Sequence, residues 1–340
     1  MRKEAINKPE EIRGVLLISL TGIGNTIFFT PVVRNVREIF PNAAIYFLGT
    51  PATIAVVSGS PYVDELIVYE KEKMGTIFSQ LRFIGQLKRR HIDVAICAFS
   101  ERSTVKFSML TLLSGAKIRA GVNEKGRGVF FTHQTRPVND RHEVEQNLDI
   151  LRTITGQPLT SEIFFWVEEK DKLFAQKWIS DAGIGRSHPV IGLHPGSAPG
   201  NPHKRWPLEN YARLTSWLYE KHRADIIVFG GPEERALAES VAGNTPTVKI
   251  ATGQLSLKQT AAILDYCDFF VGHDSGIMHL AAARGIPVIA MFGHTSPEVY
   301  GPYGDKHRVI VSDQSGIDAM KNISVEKIQQ NTEVLMRMLK

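Results

Sequence analysis

The chain has 340 residues, a formal net charge of +5, and 43% hydrophobic and 22% charged residues. Such a length and composition describe a soluble chain of about two domains, and exclude disorder, collagen-like repetition and a disulfide-stapled scaffold. Cys97 and Cys267 are the two cysteines; each sits in an apolar run, and without a C-x-x-C pair neither thioredoxin-like nor Cys-based zinc chemistry is supported. Buried free thiols suit a reducing compartment. The charged opening MRKEAINKPEEIRG has no secretory signal pattern, and no run reaches the roughly 18 apolar residues of a spanning helix. The expected location is cytoplasmic.

From the N-terminus, the patterning predicts a buried strand at 15–20, a helix at 25–39, strands at 44–48 and 65–69, a helix at 76–90 and a strand at 93–98. Helices follow at 103–113 and 144–155. A turn-rich break at 156–189 holds one helix near 170–179. The pattern then restarts with strands at 190–194, 225–229, 268–272, 287–292 and 309–312. Helices at 208–222, 233–241, 257–265 and 275–283 lie between them, and a last helix covers 325–338. Strand–helix alternation of this kind makes parallel sheets covered by helices, an α/β architecture. The expected domains are 1–165 and 186–320, with 321–340 as a C-terminal helix packing back on the N-terminal domain. Ligands of parallel sheets bind beyond the carboxyl ends of the strands, so two sheets facing each other would enclose a cleft.

Each half opens with a strand and a glycine-rich turn. In the first, Thr21-Gly22-Ile23-Gly24-Asn25 joins strand to helix, where glycine permits φ > 0 and close backbone approach. It is neither a dinucleotide fingerprint, since Ile27 stands where a small residue is needed, nor a P-loop. Taken alone, a tight turn without ligand explains it better. In the second, His194-Pro195-Gly196-Ser197 precedes Lys204 and Arg205, which are expected at the N-terminus of the next helix. Basic groups there oppose the helix dipole unless an anion is bound, which favours a phosphate site over solvated charge.

The strongest local signal is Gly272-His273-Asp274-Ser275-Gly276, where a buried strand runs into a helix of small residues. Asp274 or Ser275 can cap that helix, and Gly276 leaves room for a diphosphate near free amides. Capping alone accounts for Asp274 but not for the neighbouring glycine and hydroxyl. After another strand, Glu233 and Glu234 offer a carboxylate to a ribose diol, although an acidic first helical turn is expected for dipole reasons alone. No D-x-D is present and the eleven histidines have no ligand spacing, so neither a metal nor any other cofactor is expected.

Taken together, GVLLISLTGIGNTIFFTPVVRNVR, IGLHPGSAPGNPHKRWPLENYARL, VFGGPEE and VGHDSGIMHLAAARGIPVIAMFGHTSPEVYGPYG resemble glycosyltransferase family 9, the bacterial heptosyltransferases of the lipopolysaccharide inner core. SERSTVKFSMLTLLSGAKIRAG and HEVEQNLDIL fit as well, so the resemblance spans about 14–304. It implies a GT-B fold, two Rossmann-like domains with parallel sheets facing across a cleft, and an inverting, metal-independent transfer from a nucleotide-diphospho-sugar, typically ADP-heptose. By the same resemblance Lys204 contacts the donor phosphates, Asp274, Ser275 and Gly276 hold the diphosphate with Ser197 nearby, Glu233 or Glu234 lies near the ribose, and His279 orients the helix. Thr21, Gly22 and Gly24 form the acceptor-side loop.

One departure stands out. Studied heptosyltransferases carry an aspartate where this chain, like other relatives of the family, has an asparagine, Asn25, and an amide has no useful basicity. Glu101, just past the strand 93–98, is the carboxylate placed to serve as base. Otherwise positioning and donor departure suffice, or the chain binds sugar nucleotide, from this or another donor class, without transferring it. Between residues 79 and 141, twelve Lys or Arg face four Asp or Glu. That basic excess falls in the half assigned to the acceptor, an anionic glycolipid, and predicts reversible peripheral contact with the inner leaflet. The same stretch has little aromatic interleaving and no nucleic-acid-binding pattern.

Overall fold

The computed structural model describes residues 6, 8–103, 105–185, 187–197, 200–243, 245–253 and 255–339. Parts of the charged opening, residue 104 of the predicted helix 103–113, residue 186 of the break, and residues 198 and 199 of the second glycine-rich turn lie outside them. The chain divides into two compact units, Met1–Trp166 and Val167–Lys340.

In the first unit the order is β1 (Gly14–Ser19), α1 (Ile23–Ile39), β2 (Ala44–Gly49), α2 (Pro51–Val57), β3 (Glu65–Val68) and α3 (Ile77–Lys88). It continues with β4 (Val94–Cys97), α4 (Val105–Leu113), β5 (Ile118–Val122), β6 (His133–Thr135) and α5 (Glu143–Arg152). The six strands form one parallel sheet ordered β3-β2-β1-β4-β5-β6, with Val15 opposite both Ile45 and Val94. β1 and β4 are buried at every position, as central strands of a sheet covered on both faces must be. One face packs on α3 and α4 through Phe83, Leu87, Phe107 and Leu110. Pro31 interrupts α1, and the Ile27 carbonyl it would leave without an amide accepts from Thr30 Oγ1 at 2.7 Å.

The second unit begins with α6 (Glu169–Asp181), then β7 (Val190–His194), α7 (Leu208–His222), β8 (Asp225–Val228), α8 (Arg235–Ala242), β9 (Val248–Ile250) and α9 (Leu257–Leu264). It ends with β10 (Phe269–His273), α10 (Gly276–Ala283), β11 (Val288–Phe292), α11 (Pro297–Tyr300), β12 (Arg308–Val311) and α12 (Val325–Met338). Its sheet is again six-stranded and parallel, ordered β12-β11-β10-β7-β8-β9. α12 packs on α7, β11 and β12, because Val325, Ile328 and Leu335 belong to the core of this unit. The segment before it is pinned there too, since the buried Trp206 indole donates to the Ile323 carbonyl at 2.8 Å.

In both sheets the chain builds outward in one direction for three strands, returns to the middle and builds outward in the other. The reversal falls between β1 and β4 in the first sheet and between β7 and β10 in the second. A crevice opens at such a point because the two connections leave in opposite directions.

Candidate active site

At the reversal of the second sheet, the connections after β7 and β10 bring charges together. Lys204 Nζ donates to Asp274 Oδ2 at 2.5 Å, and His279 Nε2 lies 3.3 Å from Asp274 Oδ1. Burial alone would push the Asp274 carboxyl up; the His279 hydrogen bond and charge, with the Lys204 ammonium, outweigh it and hold the group well below the usual carboxylate range. Lys204 does not stand at the N-terminus of α7 as expected. It closes a single 3-10 turn, Pro202–Lys204, with the buried Trp206 and the N-cap Pro207 between it and that helix. The helix N-terminus it faces, through Asp274, is that of α10.

Ser275, not Asp274, caps α10, its Oγ accepting from Met278 N at 3.3 Å. Gly276 is the first helical residue, in a turn whose amides have no intrahelical acceptor. Behind the cap, His194 Nδ1 lies 3.1 Å from Ser275 Oγ and His194 Nε2 lies 3.1 Å from Glu234 Oε2. Glu234 also accepts from Gly231 N at 2.7 Å. A Cβ at position 196 would sit 1.9 Å from Glu234 Oε1, so only glycine lets that backbone lie against the carboxylate. Burial raises the Glu234 pKa, but His194, the Gly231 amide and Arg205 together bring it below the ordinary value. Glu234 therefore ties together the connections after β7, β8 and β10.

Glu233 is exposed, and its neighbour Glu234 is the one turned inward. Ser197 is buried and committed to its own loop, donating to the Asn201 carbonyl at 3.0 Å and accepting from Arg205 Nε at 2.9 Å. His194 and the choice of Glu234 were not legible in spacing alone. The signal for His194 was its place as the last residue of an otherwise apolar strand, VIGLH.

At the reversal of the first sheet, the buried Glu101 reaches back from the end of β4. Its Oε1 accepts from Leu20 N at 2.6 Å, Thr21 N at 2.9 Å and Thr21 Oγ1 at 2.9 Å. Its Oε2 is buried without a hydrogen-bond partner. Burial raises the Glu101 pKa, and the three hydrogen bonds offset this only in part. Gly22 caps α1 in an extended conformation with φ of −112°, and Gly24 lies within the first turn of that helix, so neither uses the left-handed freedom expected of it. A Cβ at position 22 would meet only Asn25 Oδ1, at 3.3 Å.

Asn25 Nδ2 donates to both oxygens of Glu143, at 3.0 and 3.1 Å. Glu143, the fully buried first residue of α5, was missed in the sequence, where HEVEQNLDIL reads as an acidic helix start. A carboxylate accepts only, so it fixes the amide with nitrogen inward and leaves Oδ1 on the Gly22 side. Among the described residues, no group of three or more His, Cys, Asp or Glu could hold a metal ion.

Two Rossmann-like units, the second with a lysine and a capped helix N-terminus at its sheet reversal, define the class of α/β enzymes with the GT-B fold. The profile of glycosyltransferase family 9 (heptosyltransferase) matches residues 80–330. Lipooligosaccharide heptosyltransferase 2 of Haemophilus ducreyi is 36% identical over 312 residues, covering 87% of this chain and 88% of that protein. A solved family 9 glycosyl transferase from Veillonella parvula superposes with a TM-score of 0.85 at 24% identity, over 96% of this chain and 98% of that one. Escherichia coli ADP-heptose lipopolysaccharide heptosyltransferase II does so at 0.77 and 21% identity, over 96% and 99%. The chain belongs to glycosyltransferase family 9, and it is a glycosyltransferase.

Proposed function

We propose that the chain transfers heptose from ADP-heptose, with inversion and without a metal, onto a lipopolysaccharide inner-core or related bacterial glycan. The observation that carries this is the Lys204–Asp274–Ser275 arrangement at the N-terminus of α10. An ammonium has three donors, and Asp274 occupies one while holding the side chain in place. The remaining donors and the amides of Gly276 and Ile277 suit a diphosphate, whose charge grows as the sugar–phosphate bond breaks. The relatives named for ADP-heptose and lipooligosaccharide support the donor and acceptor chosen. The second unit takes the donor and the first the acceptor, an anionic glycolipid at the inner leaflet.

Asn25 Oδ1 is presented to accept a hydrogen bond from the acceptor hydroxyl and so orient it. The proton goes to Glu101, whose raised pKa and partner-free Oε2 are the attributes of a general base. The same three hydrogen bonds at Oε1 also make it an anchor for residues 20 and 21. Two substitutions separate these roles. Gln keeps the accepting oxygen but not the basicity, so Glu101→Gln with unchanged Tm should lose at least about 10²-fold in kcat, the scale of general-base catalysis. Glu101→Ala should lose thermal stability as well. Wild-type turnover in the Gln variant would leave Glu101 an anchor only.

Calorimetric titration with ADP, UDP and GDP in metal-free buffer tests the donor site. ADP should bind best, and Lys204→Ala should weaken it and slow transfer by about 10²–10³, the cost of one preorganised charge contact. Preference for UDP or GDP would keep the site and change the donor. No binding of any of the three would overturn it.

A further inference from the structure

We propose that the outer faces of α3 and α4 form a membrane-docking surface that seats the first unit on an anionic lipid bilayer. α3 turns Phe83 and Leu87 to the core yet leaves Ile77, Phe78 and Leu81 exposed, with Phe78 84% exposed. α4 (VKFSMLTLL) turns the hydroxyls of Ser108 and Thr111 inward and leaves Val105, Met109 and Leu112 as an exposed apolar stripe at helical spacing. Between the two helices lies a cavity of about 240 Å³, lined by Phe83 and Ile84 from α3 and by Phe107, Leu110 and Leu113 from α4. Contiguous apolar surface of this kind marks an interaction site rather than scattered exposure.

Charge decides the occupant. Neither helix contains an acidic residue, while Arg82, Lys88 and Lys106 lie on them. The exposed Arg89 and Lys117 flank them, while in the turn before α3 Lys71 and Lys73 are balanced by Glu70 and Glu72. Apolar side chains projecting from a surface studded with Lys and Arg match an acyl boundary beneath anionic headgroups. A protein partner would need acidic groups around an apolar centre; a second copy of this face would set like charges against each other. The bilayer takes both features at once. The surface deepens the reading of a lipid-linked acceptor and rests on it only for why the enzyme needs a membrane; the docking itself is measured without turnover.

Co-sedimentation with vesicles of equal phosphatidylglycerol and phosphatidylcholine, against phosphatidylcholine alone, tests it on the full chain. Wild type should bind the anionic vesicles, with salt weakening the binding without abolishing it. Phe78→Asp with Leu81→Asp should partition at least about tenfold more weakly, because two side chains leave the acyl boundary. Leu173→Asp, on α6 of the second unit, should bind like wild type. Phe78→Trp supplies a readout that does not depend on the folding of the Asp variant: its fluorescence should shift to the blue with anionic vesicles. No vesicle binding, no blue shift, unchanged binding of the double variant, or a wild-type dimer that the double variant abolishes would each overturn the proposal. Nucleotide titration of the same preparations keeps the outcomes apart. Vesicle binding without nucleotide binding defeats the transferase reading, and the reverse defeats the docking surface.

Discussion

Asn25 and Glu143 form a pair in which the amide and the carboxylate have fixed parts. Asn25→Asp would set two carboxylates about 3 Å apart, and one of them would have to hold a proton. Glu143→Gln would leave two amides free to face each other either way. Each single variant should therefore lose stability, by about 1.5–3 kcal/mol for a hydrogen bond to a charged group. Asn25→Asp with Glu143→Gln exchanges the parts and restores one donor facing one acceptor. Its stability should return towards wild type, and its kcat should gain a new acidic limb from the carboxylate at position 25. Denaturant titration of all four proteins gives the coupling; simple additivity would mean that the two residues do not act as a pair. The residue pattern told little of this. Asn25 was conspicuous as a departure, but its partner lies 118 positions away and only the packing of α5 beside α1 brings it close.

Among elements, the connections after β7 and β10 are joined by the Lys204–Asp274 pair, and that link depends on pH. The Asp274 carboxyl titrates lower in the folded chain than in the unfolded one. Its contribution is therefore complete above the unfolded value near 4 and is lost as the pH falls through the folded value. Asp274→Asn should cost about 1.5–3 kcal/mol at pH 7. Against wild type, the gap should narrow below about pH 4, as the unfolded-state carboxyl takes up its proton. Denaturation at several pH values checks this, and a gap that does not change with pH would show that the charge of Asp274 is immaterial. The sequence placed Lys204 on the wrong element because its position was counted from the start of α7. The Trp206-Pro207 step, which sinks an indole into the core before the helix begins, is a tertiary event that local charge patterning does not register.

For the molecule as a whole, the legible part was the fully buried strands. β1, β4, β7, β10 and β11 are continuous apolar runs because helices cover both faces of a parallel sheet. The edge strands β3 and β12 were read as well, but the opposite edges were harder. β5, β6 and β9 escaped notice because partly covered strands such as HQT and VKI carry polar residues without clean alternation. α2 was hidden by its length of seven residues, too short for a periodic signal. The site's outline followed from the ends of the buried strands, where polar residues break an apolar run. Its inner supports, Glu143 and Glu234, depended on contacts between distant turns.

Glu234 also bears on how a ligand is received. One carboxylate accepts from the Gly231 amide, lies against the backbone of Gly196 and, through His194, reaches the hydroxyl of Ser275. Three loops that would otherwise fluctuate separately are immobilised when the chain folds. The entropy of ordering them is therefore spent during folding and not when a ligand binds. On the proposed reading the crevice meets its ligand already ordered, and loosening Glu234 would weaken binding through lost order in the loops it joins.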